Sequence, residues 1–231
     1  LVNQAAKARF MFGGQTRVPI VVREPLGIWR SSAAQHSQSL EGWYTHIPGL
    51  IVIAPSTPQD NKELLKASIR CDDPVVYMEH KDLWGIKGTL DKLEQVKIGE
   101  ARIIKPGNQI TIVSWSAMVH QCITASKKLE EQGISAEIID LRTLWPWDKK
   151  CVLRSVKKTK NLLIVHESVR VSGFGAEIAA TVSELLFSEL KSPPLRLAAP
   201  RIPISYAPTM EDKARVSVKK IVATTLQQIG G

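Results

Sequence analysis

Short apolar runs alternate with segments of helical periodicity along most of this 231-residue chain. Apolar runs bounded by polar, glycine or proline residues are typical of strands in a buried sheet. The strand-like runs cover residues 18–22, 51–54, 75–78, 110–114, 136–141 and 162–165. Because helical segments lie between these strands, the pattern predicts an α/β fold.

Capping residues mark where two of the helices begin. Thr57 can act as an N-cap, Pro58 suits the first helical position, and Asp60 completes a capping box. The apolar face of this helix is predicted to consist of Leu64, Leu65 and Ile69. Asp148 is predicted to cap a later helix. Other helices are predicted over 118–131, over a stripe formed by Ile178, Val182, Leu185 and Leu186, and from Glu211 onward.

A polar, aperiodic segment with several glycines separates two sets of strands and helices. We expect it to cross the surface as a linker. This divides the chain into a first unit over 1–86, a linker over 87–107 and a second unit over 108–231. Residues 1–12 have the pattern of the end of a helix that Gly13 and Gly14 stop. Because Leu1 is not a methionine, we expect the first unit to lack its beginning.

Composition and charge argue against two classes of function. The chain is 44% apolar, but no run approaches the roughly 18 apolar residues of a membrane-spanning helix. The net charge of +9 comes from 31 basic against 22 acidic residues, and includes lysine doublets that are typical of solvated helix faces. Aromatic residues are not interleaved with these basic residues as they are in nucleic-acid-binding surfaces. Cys71, Cys122 and Cys151 are far apart, which favours a reducing compartment over a disulfide framework or a zinc site.

One histidine lies where an active site is expected. His36 is set among small and amide residues in the run Ala33 to Glu41, after a predicted strand and a loop that contains Pro25 and Gly27. In open α/β sheets, ligands bind beyond the carboxyl ends of strands, and this segment follows such an end. Because a single histidine is more often structural than catalytic, its surroundings alone leave both roles open.

The motifs around His36 extend through much of the chain. The pattern R-x-P-x-G, A-Q-H-S-Q, H-x-P-G-L, P-x-D and I-R-x-x-x-P-V is met by Arg23, Pro25, Gly27, the His36 run, residues 48–50, Pro58, Asp60 and residues 69–75. Further matches cover 140–148, 166–168 and 173–178. With these motifs the chain resembles the β subunits of thiamine-diphosphate-dependent 2-oxo acid dehydrogenases of the pyruvate, branched-chain and acetoin types.

The resemblance implies a fold and a division of labour. Residues 1–86 would be the C-terminal part of a transketolase-like domain that binds the pyrimidine of thiamine diphosphate, and residues 108–231 a transketolase C-terminal-like domain that serves subunit assembly. His36 would act beside the reacting carbon. The glutamate that activates the cofactor would lie upstream of Leu1, and the α subunit would hold the diphosphate and Mg²⁺. No cofactor-binding residue of this chain is assigned.

The resemblance also implies a structural potassium ion held largely by backbone carbonyls. The matching positions are Ile20, Ser68, Ile69, Cys71 and Asp73. Cys71 and Asp73 depart from the more usual Asp and Asn. Because a carbonyl ligand survives a change of side chain, and a carboxylate suits a hard cation, the site is still expected.

The implied activity is oxidative decarboxylation of a 2-oxo acid, or cleavage of acetoin, with acyl transfer to lipoyl-lysine. Such an enzyme is an oxidoreductase that acts on an aldehyde or oxo group with a disulfide acceptor. Its partners would be the α subunit, in a heterotetramer of two α and two β subunits, and a lipoyl acyltransferase core. We expect a bacterial or archaeal cytoplasmic protein, with the mitochondrial matrix as the alternative.

Other functions stay open at this point. The chain could be a non-catalytic assembly or scaffold fragment, or belong to another transketolase-like enzyme. The stretch Glu79 to Gly88 looks most like the acetoin type, but pyruvate and branched-chain oxo acids remain open.

Several further motifs indicate packing rather than chemistry. His166 and Glu167 begin a metalloprotease-like pattern, but Arg170 stands where the second histidine ligand is needed. The sequence Gly173-Phe174-Gly175 is interpreted as a tight turn between a strand and a helix. His46, His80 and His120 are expected to have surface or packing roles, and Trp145 and Trp147 to fill a domain or subunit contact.

Overall fold

The computed structural model describes residues 1–91 and 95–230. The helices within these ranges are α1 (Ala5–Met11), α2 (Ala33–His36), α3 (Glu41–Thr45), α4 (Pro58–Ile69), α5 (Ala117–Glu130), α6 (Lys149–Thr159), α7 (Gly175–Leu186), α8 (Pro208–Ala214) and α9 (Val218–Gly230). The strands are β1 (Val21–Leu26), β2 (Ile51–Ile53), β3 (Val75–His80), β4 (Arg102–Lys105), β5 (Ile110–Ser114), β6 (Ala136–Asp140), β7 (Thr143–Trp145), β8 (Leu162–Val169) and β9 (Leu195–Ala199).

The first sheet has the strand order β1-β3-β2-β7. Strands β1, β3 and β2 are parallel, so their carboxyl ends share one edge, where Leu26 of β1 lies opposite His80 of β3. Strand β7 pairs antiparallel with β2 and comes from the second half of the chain. The two halves therefore share a hydrogen-bonded sheet.

The second sheet has the strand order β4-β6-β5-β8-β9. Its strands are parallel except for β4, an antiparallel edge strand. Helices α5 and α9 contribute to the apolar core on one face, and α6 and α7 to the core on the other. This three-layer arrangement explains why the inner strands are continuous apolar runs, since both faces are covered.

One apolar cluster spans both halves of the chain. Val52 and Met78 of the first sheet pack in the same buried cluster as Ile139, Trp147 and Phe174 of the second half. Burial of a continuous cluster is the main stabilising term in a fold of this size. The two halves are thus joined by core packing as well as by β7.

The capping predictions are confirmed. The Thr57 hydroxyl accepts a hydrogen bond from the Asp60 backbone N–H at 3.1 Å, and the Asp148 carboxylate accepts one from the Cys151 N–H at 2.9 Å. These bonds satisfy backbone donors that the first turn of a helix leaves without partners.

Two residues predicted to be buried are exposed. Ile69 ends α4 with 64% of its surface exposed, because Leu64 and Ser68, four residues apart, occupy the inward face. Leu185 of α7 is 56% exposed, since Ile178, Val182 and Leu186 form the buried stripe. In both helices, residues spaced by four define the buried face.

Some predicted boundaries were wrong. The first strand begins at Val21 rather than residue 18, because Val18 bonds to the Asp72 carbonyl outside the ladder and Pro19 has no N–H. The terminal helix is divided into α8 and α9 by extended backbone at Arg215. No helix in the described part of the chain has the length and apolar character needed to cross a membrane.

The predicted linker contains regular structure. Strand β4 lies within it and pairs with β6, while a 3₁₀ turn over Lys81–Leu83 follows β3 inside the first unit. The sequence pattern did not predict β4, because a short edge strand shows little alternation of apolar and polar residues. Even the apolar residue Ile103 of this strand is 41% exposed. Residues 92–94 of the linker lie outside the described residues.

A buried ion pair lies beneath the shared sheet. The Arg142 guanidinium donates to the Asp60 carboxylate at 3.1 Å and to the Glu100 carbonyl at 2.9 Å. Asp60 is fully buried and Arg142 nearly so. Close by, the Ser56 hydroxyl donates a hydrogen bond to Asp140. Burial raises the pKa of Asp140 to about 7. These groups connect α4 and the loop before it to the segment around β7.

We expect Arg142→Met to destabilise the fold by about 3–5 kcal/mol, because it leaves the Asp60 carboxylate buried without its cation. The matched control is Arg17→Met, which removes an ion pair with Asp72 at the surface. The side chains of Arg17 and Asp72 are 70% and 50% exposed. The control should cost less than about 1 kcal/mol. Urea unfolding of both variants measures the difference, and equal losses would contradict the assigned role.

Candidate active site

A cavity of about 440 Å³ lies at the carboxyl ends of β1 and β3. His36, Gln35 and Trp29 line it from the segment that connects β1 to β2. Met78 of β3, together with Lys81 and Trp84 from the turn after β3, lines the other side. His36 is exposed at the carboxyl end of α2. The predicted position of His36, beyond the carboxyl end of a strand, is therefore confirmed.

The loop from Gly27 to Ser32 determines how α2 leaves the sheet. Gly27 has φ of +97°, and a side chain there would collide with the His80 ring, so only glycine fits. Ser31 and Ala33 have φ values of 56° and 60°, which residues with a side chain rarely adopt. Such backbone persists where surrounding groups hold it in place.

Lys81 lies against the histidine helix. Its ammonium group donates to the His36 carbonyl at 2.6 Å, which satisfies an acceptor at the end of α2. Partial burial lowers the pKa of Lys81, while Glu167 and Asp82 oppose that shift. Sequence reasoning did not single out Lys81, although it lies in the stretch that resembles the acetoin type.

The cavity also contains a carboxylate. Glu24 lines it and accepts a hydrogen bond from the Tyr44 hydroxyl at 2.5 Å. Burial, together with this bond, raises the pKa of Tyr44 to about 12. Glu24 was not predicted as a site residue, and the only available signal was its place inside the R-x-P-x-G motif.

His80 does not have the surface or simple packing role that was predicted. It is buried, and its Nε2 lies 2.8 Å from Oε2 of Glu167, a residue of β8 in the second half of the chain. His80 Nδ1 accepts a hydrogen bond from the Asp82 N–H at 3.1 Å. This assigns the ring proton to Nε2, which donates to the carboxylate.

A second buried acid lies nearby. Glu41 accepts a hydrogen bond from the Trp115 indole N–H at 3.1 Å. Burial raises the pKa of Glu41, and the negative charge of Glu167 adds to the effect. The Trp115 ring stacks on His166, with centroids 5.2 Å apart.

The glycines after β8 serve close packing. A Cβ at Gly173 would lie 2.7 Å from the His166 ring, and one at Gly175 would also lie 2.7 Å from it. Both positions therefore need glycine so that the backbone can approach the imidazole. The two remaining histidines lie in different surroundings. The His120 Nε2 atom donates to the Ser56 carbonyl oxygen at 2.7 Å, and His46 is exposed.

The residues predicted to hold potassium lie just before β1, at the end of α4 and in the loop between α4 and β3. Ile20 and Pro74 precede paired strands, and Ser68 and Ile69 end α4, whose last carbonyls favour a cation. The Asp73 carboxylate is bound to Arg9 at 2.5 Å, so a cation here would depend mainly on backbone carbonyls. In residues 1–91 and 95–230, no three His, Cys, Asp or Glu side chains lie so that they could share a metal.

Comparison with known proteins identifies the family. The family models "Transketolase, pyrimidine binding domain" and "Transketolase, C-terminal domain" match residues 1–86 and 99–221. The "Acetoin:2,6-dichlorophenolindophenol oxidoreductase subunit beta" of Cupriavidus necator is 41% identical over all of this chain and 69% of its own length. The chain belongs to the transketolase-like β subunits of the 2-oxo acid dehydrogenase family.

Other relatives carry the names of different dehydrogenases. The "Pyruvate dehydrogenase E1 component subunit beta" of Rhizobium meliloti is 43% identical over 96% of this chain and 49% of its own length. A solved "Split gene transketolase, inactive beta4 tetramer" shares the fold, with a TM-score of 0.75 at 19% identity over 91% of this chain and 66% of the other.

The cavity fits one wall of a thiamine diphosphate site. Its volume lies within the usual range for small-molecule pockets, and Leu40 and Met78 give it apolar surface against which a flat ring can pack. His36 and Glu24 provide polar groups in the same cavity. No residue among those described is assigned to the diphosphate.

We expect His166 to make the protein sensitive to acid. Burial lowers the pKa of His166 from 6.5 to about 4. Between these values the unfolded chain binds a proton at His166 that the folded chain does not, so the contribution of His166 to stability falls as pH falls, by up to about 3 kcal/mol.

Comparing the free energy of unfolding at pH 6.5 and pH 4 for wild type and His166→Gln tests this. The variant should lose less stability than wild type over this interval. The control His46→Gln, at an exposed histidine, should behave as wild type. An unchanged pH dependence in His166→Gln would contradict the assignment.

Proposed function

We propose that this chain is the catalytic β subunit of a thiamine-diphosphate-dependent 2-oxo acid or acetoin dehydrogenase. The observation that carries the proposal is His36, exposed in a cavity at the carboxyl ends of β1 and β3. An exposed imidazole in a cavity is available to a substrate, whereas a structural histidine would be expected to be buried with partners.

When bound, thiamine diphosphate supplies a carbanion and an electron sink for carbon–carbon cleavage. The residues of this chain would orient the substrate and manage protons around it. The His36 imidazole can donate a proton to an oxygen that becomes negative, or hold a carboxylate in its cationic form. Trp29 and Trp84, with ring centroids 6.4 Å apart, line the same cavity.

Two observations bear on the substrate and point in different directions. The Lys81 ammonium adds positive charge to the cavity, which favours the carboxylate of a 2-oxo acid. The stretch Glu79 to Gly88 resembles the acetoin type, and the relative from Cupriavidus necator is named as a subunit of an acetoin oxidoreductase. Pyruvate, branched-chain oxo acids and acetoin therefore form the panel to assay.

The proposed partners follow from the β-subunit family. The α subunit would complete the cofactor site with Mg²⁺ in a heterotetramer, and a lipoyl acyltransferase core would receive the acyl group. We propose the bacterial or archaeal cytoplasm as the compartment. The free thiols of Cys71, Cys122 and Cys151 fit a reducing environment.

We expect His36→Ala to lower turnover in the assembled enzyme by about 10²- to 10⁴-fold, the usual range for losing a positioned acid or base. The melting temperature should change little because the side chain is exposed. Steady-state kinetics across the panel and thermal unfolding of the same preparation measure both quantities.

The control for His36→Ala is His46→Ala, at an exposed histidine outside the cavity, which should keep normal turnover. Near-normal turnover in His36→Ala would remove His36 from the mechanism. If the wild-type complex turns over none of the panel with thiamine diphosphate, the scaffold interpretation replaces the proposal.

Potassium should raise the melting temperature more than an equal concentration of sodium. A cation that binds only the folded state stabilises it by mass action, and carbonyl cages discriminate between the two ions. Asp73→Asn should keep the difference, because the ligands are backbone carbonyls. Equal shifts with both salts would contradict a potassium site at Ile20, Ser68, Ile69, Cys71 and Asp73.

A further inference from the structure

The loop that leads to His36 is held from the second half of the chain. The Ile28 N–H donates to Oε2 of Glu167 at 2.7 Å, and the Ser31 N–H donates to Oε2 of Glu211 at 2.7 Å. Glu167 lies in β8 and Glu211 in α8, both remote from the first sheet in sequence. Two carboxylates of the second half thus bind the backbone on either side of Trp29 and Arg30.

Glu167 also holds the other wall of the cavity. The same oxygen that accepts from Ile28 accepts from His80 Nε2 at 2.8 Å. His80 in turn accepts from the Asp82 N–H, which sets the turn that presents Lys81 to the His36 carbonyl. One carboxylate oxygen therefore fixes both segments that flank the histidine.

Glu211 forms a second, parallel connection. Its Oε1 accepts from the Arg215 guanidinium at 2.8 Å, and Arg215 also reaches the Asp82 carboxylate at 3.4 Å. Glu167 and Glu211 are 5% and 4% exposed. Hydrogen bonds in such buried surroundings are electrostatically stronger than in water, so they can hold a backbone that would otherwise relax.

The backbone between these anchors needs support. Ser31 and Ala33 have left-handed φ values of 56° and 60°, and both precede His36 by a few residues. Without the carboxylates the segment would be free to move toward ordinary backbone angles, which would rotate α2 and its histidine.

We propose that Glu167 and Glu211 are positioning residues for His36, so that the second half of the chain sets the geometry of the active site as well as serving assembly. The inference rests on the proposed function. It differs from a purely structural role because the effect must pass through His36.

The test compares Glu167→Leu with Glu167→Gln in the full β chain assembled with its α partner. Leucine removes the acceptor, whereas the glutamine oxygen can still accept from Ile28 and His80. We expect Glu167→Leu to lower kcat by about 30- to 100-fold, in line with the cost of misplacing a catalytic group by about 1 Å. Glu167→Gln should lose much less.

A double-mutant cycle separates positioning from general damage. In a His36→Ala background, Glu167→Leu should lower kcat little further, since the group that it positions is already absent. The matched control is Glu137→Leu, because Glu137 is also buried and accepts a loop N–H, from Gly107 at 3.2 Å, far from the cavity. It should lose stability with kcat kept.

Amide hydrogen exchange gives a readout that does not depend on activity. In Glu167→Leu, the amides of residues 27–36 should lose protection while those of β5 and β6 keep it, and Glu167→Gln should retain protection of Ile28. Unchanged exchange in the loop, or equal additive losses of kcat with and without His36, would overturn the inference. If the wild-type complex is inactive, the proposed function fails, and the exchange experiment still decides whether the carboxylates hold the loop.

Discussion

The pairing of β7 with β2 is the constraint on which the rest of the structure depends. It places a strand from the second half of the chain in the first sheet, where Val52 lies opposite Trp145. Because hydrogen bonds and apolar packing cross the same boundary, the two halves cannot shift without breaking a ladder and opening a shared core. Arg142 and Asp60 secure the boundary with a buried ion pair, which would be costly to separate because each charge depends on the other.

Because the two halves of the chain are fixed relative to each other, side chains of one half can form hydrogen bonds with groups of the other. Glu167 reaches Ile28 and His80 across it, and Glu211 reaches Ser31. A carboxylate can hold a strained loop only if the scaffold that carries it does not move. In the proposed arrangement, the placement of His36 therefore depends on the packing between the two halves of the chain.

The chemistry proposed for the site needs only a few groups from this chain, but these groups must be accurately placed. An exposed imidazole, a lysine bound to the same short helix and two aromatic walls surround one cavity. Such an arrangement can transfer a proton and orient a substrate, while the reactive carbon belongs to the cofactor.

Local sequence determined the class of fold, the caps of α4 and α6, and the position of His36 after a strand, because capping and strand periodicity depend on near neighbours. The resemblance of motifs identified the family. The roles of His80, Glu167, Glu24 and Lys81 were missed, since each depends on a partner remote in sequence or on the shape of a cavity. Only the tertiary structure brought Glu167 to Ile28, 139 residues apart. No local pattern encodes such a contact, because it exists only when two sheets have packed against each other.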